Sequence, residues 1–382
     1  MRGLPRFPVT MVGSWPRSRE LLRAQRQKRA GTLDPDAFER IADDAVRHVI
    51  ETQEQLGVDL VTDGEQRRDS FFSFVAEKLA GVRMMTLAEM LEIIEDKDSF
   101  ERILQTLDVP AYAISNATCV GKIARERPLA VDELRFVKQH SDRPVKVPLP
   151  GPYLMTRAMW VKEACRQVYP TKESLGDDVV EVLRAELREL IAEGVAFVQF
   201  DEPVLTELVF TQGQARTFMC AALAASADPR DELEWAVSLH QRVLAGFEGE
   251  TRFGVHVCRG NWSSDESTLL RGSYHPLRAT LERLPVDQLV LEYATERAGD
   301  LLAFGAKELG LGLVNPRTER VESVDEIVRT VRRALELYPA DRLFLNPDCG
   351  FATFSNRPVN HDAVARAKMR ALVEASQQLR GV

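Results

Sequence analysis

A chain of 382 residues that is 45% hydrophobic can bury one large core or two ordinary ones without disulfides or a partner, and no apolar run in it approaches the ~18 residues of a membrane span. Its formal net charge of -8 disfavours nucleic acid as the main partner, because the basic residues are interspersed with acids in helical stretches such as Arg184 to Glu193. Five widely spaced cysteines (119, 165, 220, 258 and 349) argue for reduced thiols in metal or catalytic use over a disulfide framework; with a start, Met1-Arg2-Gly3-Leu4-Pro5-Arg6, that lacks an apolar signal core, they make the cytoplasm the expected compartment.

Short apolar strands alternate with amphipathic helices along the chain, the pattern of a parallel sheet. The first strand, Val9 to Val12, runs into Gly13-Ser14-Trp15-Pro16-Arg17, and a helix over Asp36 to Leu56 leads to the second, Val58 to Thr62. The loop after it is Asp63-Gly64-Glu65-Gln66-Arg67-Arg68-Asp69. The stretch from about Thr86 to Arg143 is long for one connection and reads as a helical insertion, apolar-periodic over Leu87 to Ile94 and Phe100 to Leu107 with a break at Val109-Pro110. Such an insertion lies over a barrel mouth or at a dimer contact, so a homo-oligomer stays open. Val145 to Leu149 is the third strand, ending at Pro150-Gly151-Pro152-Tyr153, and the helix Asp178 to Glu193, closed by Gly194, precedes the fourth, Ala196 to Phe200, with Asp201-Glu202-Pro203 at its end. A helix over Glu232 to Ala245, the fifth strand Phe253 to Val257, a short helix near Pro276 to Leu284 and the sixth strand Leu289 to Glu292 follow. The seventh strand, Leu311 to Val314, ends at Asn315-Pro316-Arg317; a helix over Ser323 to Leu337, opened by Ser323 and Glu326 at capping-box spacing, leads to the eighth, Leu343 to Asn346. Eight alternations predict one α/β domain over residues 1–382, a (β/α)8 barrel with a helical insertion after strand 2 at about 86–143. The rival is an open doubly wound sheet, but GxGxxG after the first strand is absent.

In such a barrel the chemistry sits in the loops at the carboxyl ends of the strands. His256, Cys258, Glu292 and Cys349 each stand where an apolar run stops, and in an extended chain His256 and Cys258 share one face about 6 to 7 Å apart. Two thiolates, an imidazole and a carboxylate make a four-ligand zinc set. The blander alternative, buried hydrophobic cysteines and a satisfied core histidine, loses weight because the donors recur at equivalent strand ends. Glu65 and Asp201 also lie at strand ends, where acids commonly cap helices; together they are candidate holders of a substrate amino group, with Ser14 and the backbone at Gly13 facing its carboxylate. A zinc with two thiolate ligands activates water poorly but lowers the pKa of a substrate thiol, which implies alkyl transfer to sulfur.

These motifs resemble those of the catalytic, carboxyl-terminal barrel of cobalamin-independent methionine synthases and their shorter single-barrel relatives. The carriers are Val12-Gly13-Ser14-Trp15-Pro16-Arg17, Asp63-Gly64-Glu65 with Arg67 and Asp69, Val198-Gln199-Phe200-Asp201-Glu202-Pro203, His256-Val257-Cys258, Glu292, and Asn346-Pro347-Asp348-Cys349-Gly350-Phe351. The resemblance implies zinc on His256, Cys258, Glu292 and Cys349, Ser14 at the amino-acid carboxylate, and Glu65 and Asp201 at the amino group of homocysteine. Where the synthases have a histidine associated with protonating the folate leaving group, the seventh-strand loop reads Val314-Asn315-Pro316-Arg317-Thr318, which turns attention from methyl folate to a methylcorrinoid or an epoxide as alkyl donor.

Three functions compete. One is methyl transfer to homocysteine, with the loops carrying Trp15, Tyr153 and Trp160 holding the electrophile over the mouth. Another is epoxide opening by zinc-bound coenzyme M, as in single-barrel relatives, with Arg17, Arg67, Arg68 or Arg317 on the sulfonate. The last is a zinc-bearing barrel without catalysis. An intact Glu65 and Asp201 favour the amino thiol.

Overall fold

In chain order the strands are β1 (Leu79–Thr86), β2 (Ser115–Arg125), β3 (Lys146–Pro150), β4 (Phe197–Asp201), β5 (Arg252–Val257), β6 (Gln288–Leu291), β7 (Glu308–Val314) and β8 (Leu343–Pro347). The structure, a computed structural model, describes residues 3–93, 115–210, 228–261, 263–355 and 358–381. β3 to β8 form a six-stranded parallel sheet in chain order and are the third to eighth expected strands. The expected first and second strands complete the ring as extended segments: Val9 pairs with Leu345, Thr10 with Leu60 and Val61 with Val145, all parallel. Side chains stand in for part of their ladder. Thr10 Oγ1 donates to Leu60 O (3.0 Å), Lys146 Nζ to Met11 O (2.7 Å) and Gln199 Nε2 to Val12 O (3.0 Å), so carbonyls at the seam of the (β/α)8 barrel stay paired.

Inside the ring, Val12, Leu60, Phe197, Val290 and Phe344 pack into an apolar layer, the floor on which the polar strand ends stand. Outside it, helices bury one stripe each against the strands. Pro35–Leu56 starts at Asp34, whose side chain accepts from Ala37 N, and buries Phe38, Ala42, Val46, Val49, Ile50 and Gln53 at the three-to-four spacing of one face. The helix expected from Asp178 starts earlier, as Lys172–Ala192 behind a Thr171/Ser174 capping box, and the Ser323/Glu326 box opens Val324–Ala334 as expected. Among the described residues no helix is long and apolar enough to cross a membrane.

The insertion holds its expected helix, Leu87–Ile93, but that helix sits at the end of an antiparallel ribbon in which β1 pairs with β2. The ribbon escaped the periodicity reading because Val82 and Met85, which are buried, sit at a helical spacing. The expected helical stretch Phe100 to Leu107 lies outside the described residues. Further on, Val131–His140 belongs to the outer ring of barrel helices and packs against Pro35–Leu56 and Lys172–Ala192. Cys119 and Cys165 are buried, in keeping with a structural role, and Cys220 lies outside the described residues.

Candidate metal centre and amino-group site

β5 delivers His256 on its inner face and Cys258 just past its end, and the turn after β8 delivers Cys349. Their ligand atoms all lie within 4.8 Å of one another, and all three residues are buried. His256 Nδ1 is 3.1 Å from Val290 O, a carbonyl that can only accept, so Nε2 is the nitrogen left for the site; it is buried without a hydrogen-bond partner. A hydrogen bond from Cys349 and the adjacent His256 outweigh burial and pull the Cys258 thiol down to about 5. Burial works to lower the His256 pKa, but the Cys258 thiolate and the Asp201 and Glu292 carboxylates raise it to about 9. Cys349, donating to Cys258 in a buried setting, is pushed well above its ordinary value. An unpartnered imidazole nitrogen beside a preformed thiolate and a second thiol fits a soft divalent cation.

Glu292, one residue past β6, is not among the three converging donors. Its Oε2 accepts from Arg259 N (2.9 Å), and its Oε1 from Arg297 Nη2 (2.9 Å) and Arg317 Nη1 (3.3 Å). Burial disfavours its charge, but the three guanidiniums more than offset this and hold its pKa below the ordinary value. Asp348 ties the same loop down by accepting from Tyr293 N and Ala294 N, both at 2.9 Å. The expected fourth ligand therefore stands clamped by arginines from three different loops.

The second cluster lies one strand away. Asp201 is the register partner of His256, and its Oδ1 accepts from Gln199 Nε2 at 2.8 Å. Burial raises its pKa to about 6, against the pull of His256. Glu65 is raised to about 8, again chiefly by burial, with Arg68 opposing and Asp201 reinforcing the shift. Its backbone is left-handed, φ 53 after Gly64 at φ 67, an arrangement costly for a residue with a side chain and retained where surroundings enforce it. Arg17 is the enforcer: its guanidinium donates to Glu65 O (2.5 Å), Arg68 O (2.9 Å) and Ala352 O (2.8 Å). Glu65 Oε2 is buried without a partner, and Glu65 Oε1 lies where a Cβ on Gly13 would overlap it. Gly13→Ala is therefore expected to displace the Glu65 carboxyl and so to flatten the pH dependence of stability that this buried carboxyl confers, as a Glu65 variant would, with Glu65 intact, checked by urea denaturation.

A raised carboxyl pKa also has a stability consequence. Glu65 binds its proton more tightly folded, at about 8, than in an unfolded chain, at about 4.3, so this stabilisation is complete below about pH 4 and disappears as pH rises through about 8. Urea denaturation of the ligand-free protein should show stability falling between about pH 5 and 8, and Glu65→Gln should flatten that fall, by a few kcal/mol at about pH 8.

Ser14 is buried against the loop after β8, its Oγ accepting from Ala352 N (3.3 Å) and its carbonyl from Phe351 N (3.0 Å). Two further expected substrate contacts have partners within the chain. Trp15 is fully buried, with Nε1 on Asp362 Oδ1 at 2.8 Å and its ring edge-on to Phe351, and the Arg17 guanidinium is spent on the three carbonyls above. Likewise Tyr153 is buried with its hydroxyl on Glu232, and Trp160 Nε1 faces Tyr169 O. Glu202, neighbour of Asp201, accepts from Tyr153 N and Leu154 N at 2.9 Å and so caps the helix Pro152–Met159. Sequence reasoning missed the roles of Gln199, Lys146, Arg259 and Arg297. The one signal available was spacing, since Gln199 lies two residues before Asp201 and so shares its face.

The chain matches the family model described as "Cobalamin-independent synthase, Catalytic domain" over residues 7–378. It is 29% identical over 358 residues to a methionine synthase of Thermococcus kodakarensis, covering 93% of this chain and 89% of that one. It is 28% identical over 385 residues to a Streptomyces griseus 5-methyltetrahydropteroyltriglutamate--homocysteine methyltransferase, covering 99% of this chain but 43% of that longer protein. Among solved structures, a B12-independent methionine synthase from a Shewanella species superposes with a TM-score of 0.73 at 22% identity, over 99% of this chain and 98% of that one. A structure from Listeria monocytogenes gives 0.71 at 19% identity, over 99% of each chain. These likenesses confirm the barrel, and with the family match over nearly the whole length the chain belongs to the cobalamin-independent synthase catalytic-domain family.

Proposed function

We propose that this protein transfers a methyl group to the sulfur of homocysteine, giving methionine, with zinc held by His256, Cys258 and Cys349; Glu292 would serve as an exchangeable fourth ligand only by giving up one of its arginine contacts. The observation that carries the reading is the register of Asp201 with His256 on neighbouring strands. Adjacent strands lie about 4.8 Å apart, close to the reach from sulfur to nitrogen across the three carbons of homocysteine, so one molecule can place its thiol at the metal donors and its ammonium at Asp201. When bound, zinc supplies a Lewis acid that keeps a substrate thiol deprotonated at neutral pH.

The chain's own residues do the rest. Asp201 and Glu65 receive the ammonium and give up protons as it arrives, because a cation lowers the pKa values that burial has raised. Ser14, with the backbone at Gly13, takes the carboxylate and fixes the direction in which the sulfur points. The loop after β7 contributes Arg317, whose pKa is lifted by Glu292 and Asp348 in spite of burial. A group that keeps its proton is no acid for a departing nitrogen, which favours a methylcorrinoid donor over methyl folate.

The arginines proposed for a sulfonate are engaged elsewhere. Arg17 is on backbone carbonyls, Arg67 pairs with Asp43, Arg68 with Glu133 and Arg317 with Glu292 and Asp348. Titrating the zinc-loaded protein with homocysteine and with coenzyme M in buffers of different ionisation heat tests the reading. Homocysteine should bind with proton release and coenzyme M should not compete; tighter binding of coenzyme M would overturn it.

A further inference from the structure

Gln199 stands on the inner face of β4, one inward position below Asp201 and above the apolar layer that contains Phe197. Its Nε2 donates both to Asp201 Oδ1 (2.8 Å) and to Val12 O (3.0 Å). The Val12 carbonyl can only accept, and so does Asp201 in its charged form, so the orientation of the amide is dictated: turned over, it would set oxygen against the Val12 oxygen. The other end of the amide has no such reward. Gln199 is fully buried and its Oε1 has no hydrogen-bond partner. A buried acceptor left unpaired is a cost; an apolar side chain of similar size would avoid it but would leave Val12 O and Asp201 Oδ1 without this donor, so what holds glutamine here is the pair of bonds its Nε2 makes.

We propose that Gln199 is a positioning residue for the amino group of the substrate, acting through Asp201. By occupying Oδ1 it fixes the carboxylate's rotation and leaves the second oxygen for an ammonium shared with Glu65, whose Oε2 is unpartnered. The donated N–H also favours the charged form of Asp201, the form that can hold a cation. This rests on the assignment of Asp201 to the ammonium. The rival role is structural: a brace on the Val12 carbonyl at the barrel seam, with no bearing on which thiol binds.

Two ligands separate the roles, homocysteine and its desamino analogue 4-mercaptobutyrate, titrated into zinc-loaded wild-type protein, Gln199→Met, Gln199→Leu and Asp201→Asn, with zinc content measured for each. The expected result is that both Gln199 variants keep their zinc, bind homocysteine about tenfold more weakly, and bind 4-mercaptobutyrate within about twofold of wild type. A brace on the seam predicts equal weakening of both thiols, and that result, or unchanged homocysteine binding, overturns the proposal. Asp201→Asn keeps the two failures apart. Selective loss of homocysteine in Asp201→Asn without selective loss in either Gln199 variant rejects the role of Gln199 alone, whereas no selective loss in Asp201→Asn rejects the ammonium assignment itself. Two apolar replacements of different shape keep the test intact where one packs poorly against Phe197.

Discussion

Cys258→Ser is expected to yield a folded protein that, offered zinc alongside the wild type, takes up less than a tenth as much and turns over at least about 1,000-fold more slowly, because it removes the donor most committed to an anionic form. The three donors differ in what a metal must displace. Cys258, at about 5, is already a thiolate at neutral pH, whereas His256, at about 9, and Cys349, well above its ordinary value, carry protons. Loading the metal-free protein near pH 7.5 should therefore release about two protons per ion, and affinity should climb with pH. Serine in place of Cys258 leaves a hydroxyl that stays protonated at any accessible pH, so both the donor and its charge are lost. Zinc content by elemental analysis, a chelator competition, and a methyl-transfer assay on the same preparation make the check. Full activity in a preparation shown to be metal-free would remove the metal from the reaction.

The second large effect is expected at the amino-group site. Asp201→Asn keeps the volume and the bond from Gln199 but removes the charge, and homocysteine should bind about 100-fold more weakly while zinc is retained. Its pH profile supplies a second reading. In the wild type Asp201 ionises at about 6 and Glu65 at about 8, so ammonium binding should strengthen as pH rises across that interval, since a proton on either carboxyl competes with the cation. Asp201→Asn removes the lower step and leaves the upper one; Glu65→Gln does the reverse. Equal losses of zinc and of homocysteine in either variant would make the pair part of the metal site's support and not a receptor for nitrogen.

Much of this is legible in the sequence. Alternation of apolar strands and amphipathic helices is a local property, and it placed β3 to β8 and both extended segments of the barrel. The same logic brought His256, Cys258 and Cys349 together, because a parallel barrel puts all its strand ends on one rim. The ribbon of β1 and β2 was not legible, since its buried residues recur at a spacing that a helix shares.

What the sequence by itself determined, then, was the barrel, its polar rim and the donor types on it, for these follow from the period and composition of short segments. Only the tertiary structure decided which of those groups are free to act. Arg17 and Trp15 stand in the same strand-end loop as Ser14, yet Arg17 is spent on a carbonyl 335 residues away and Trp15 on a carboxylate 347 residues away. Glu292 is held by arginines from three separate loops, and Asp201 is set by a glutamine on its own strand that also reaches the first segment of the barrel. Whether a charge is available or already neutralised depends on partners that only the closed ring brings within a few ångströms, and no local pattern encodes that distance.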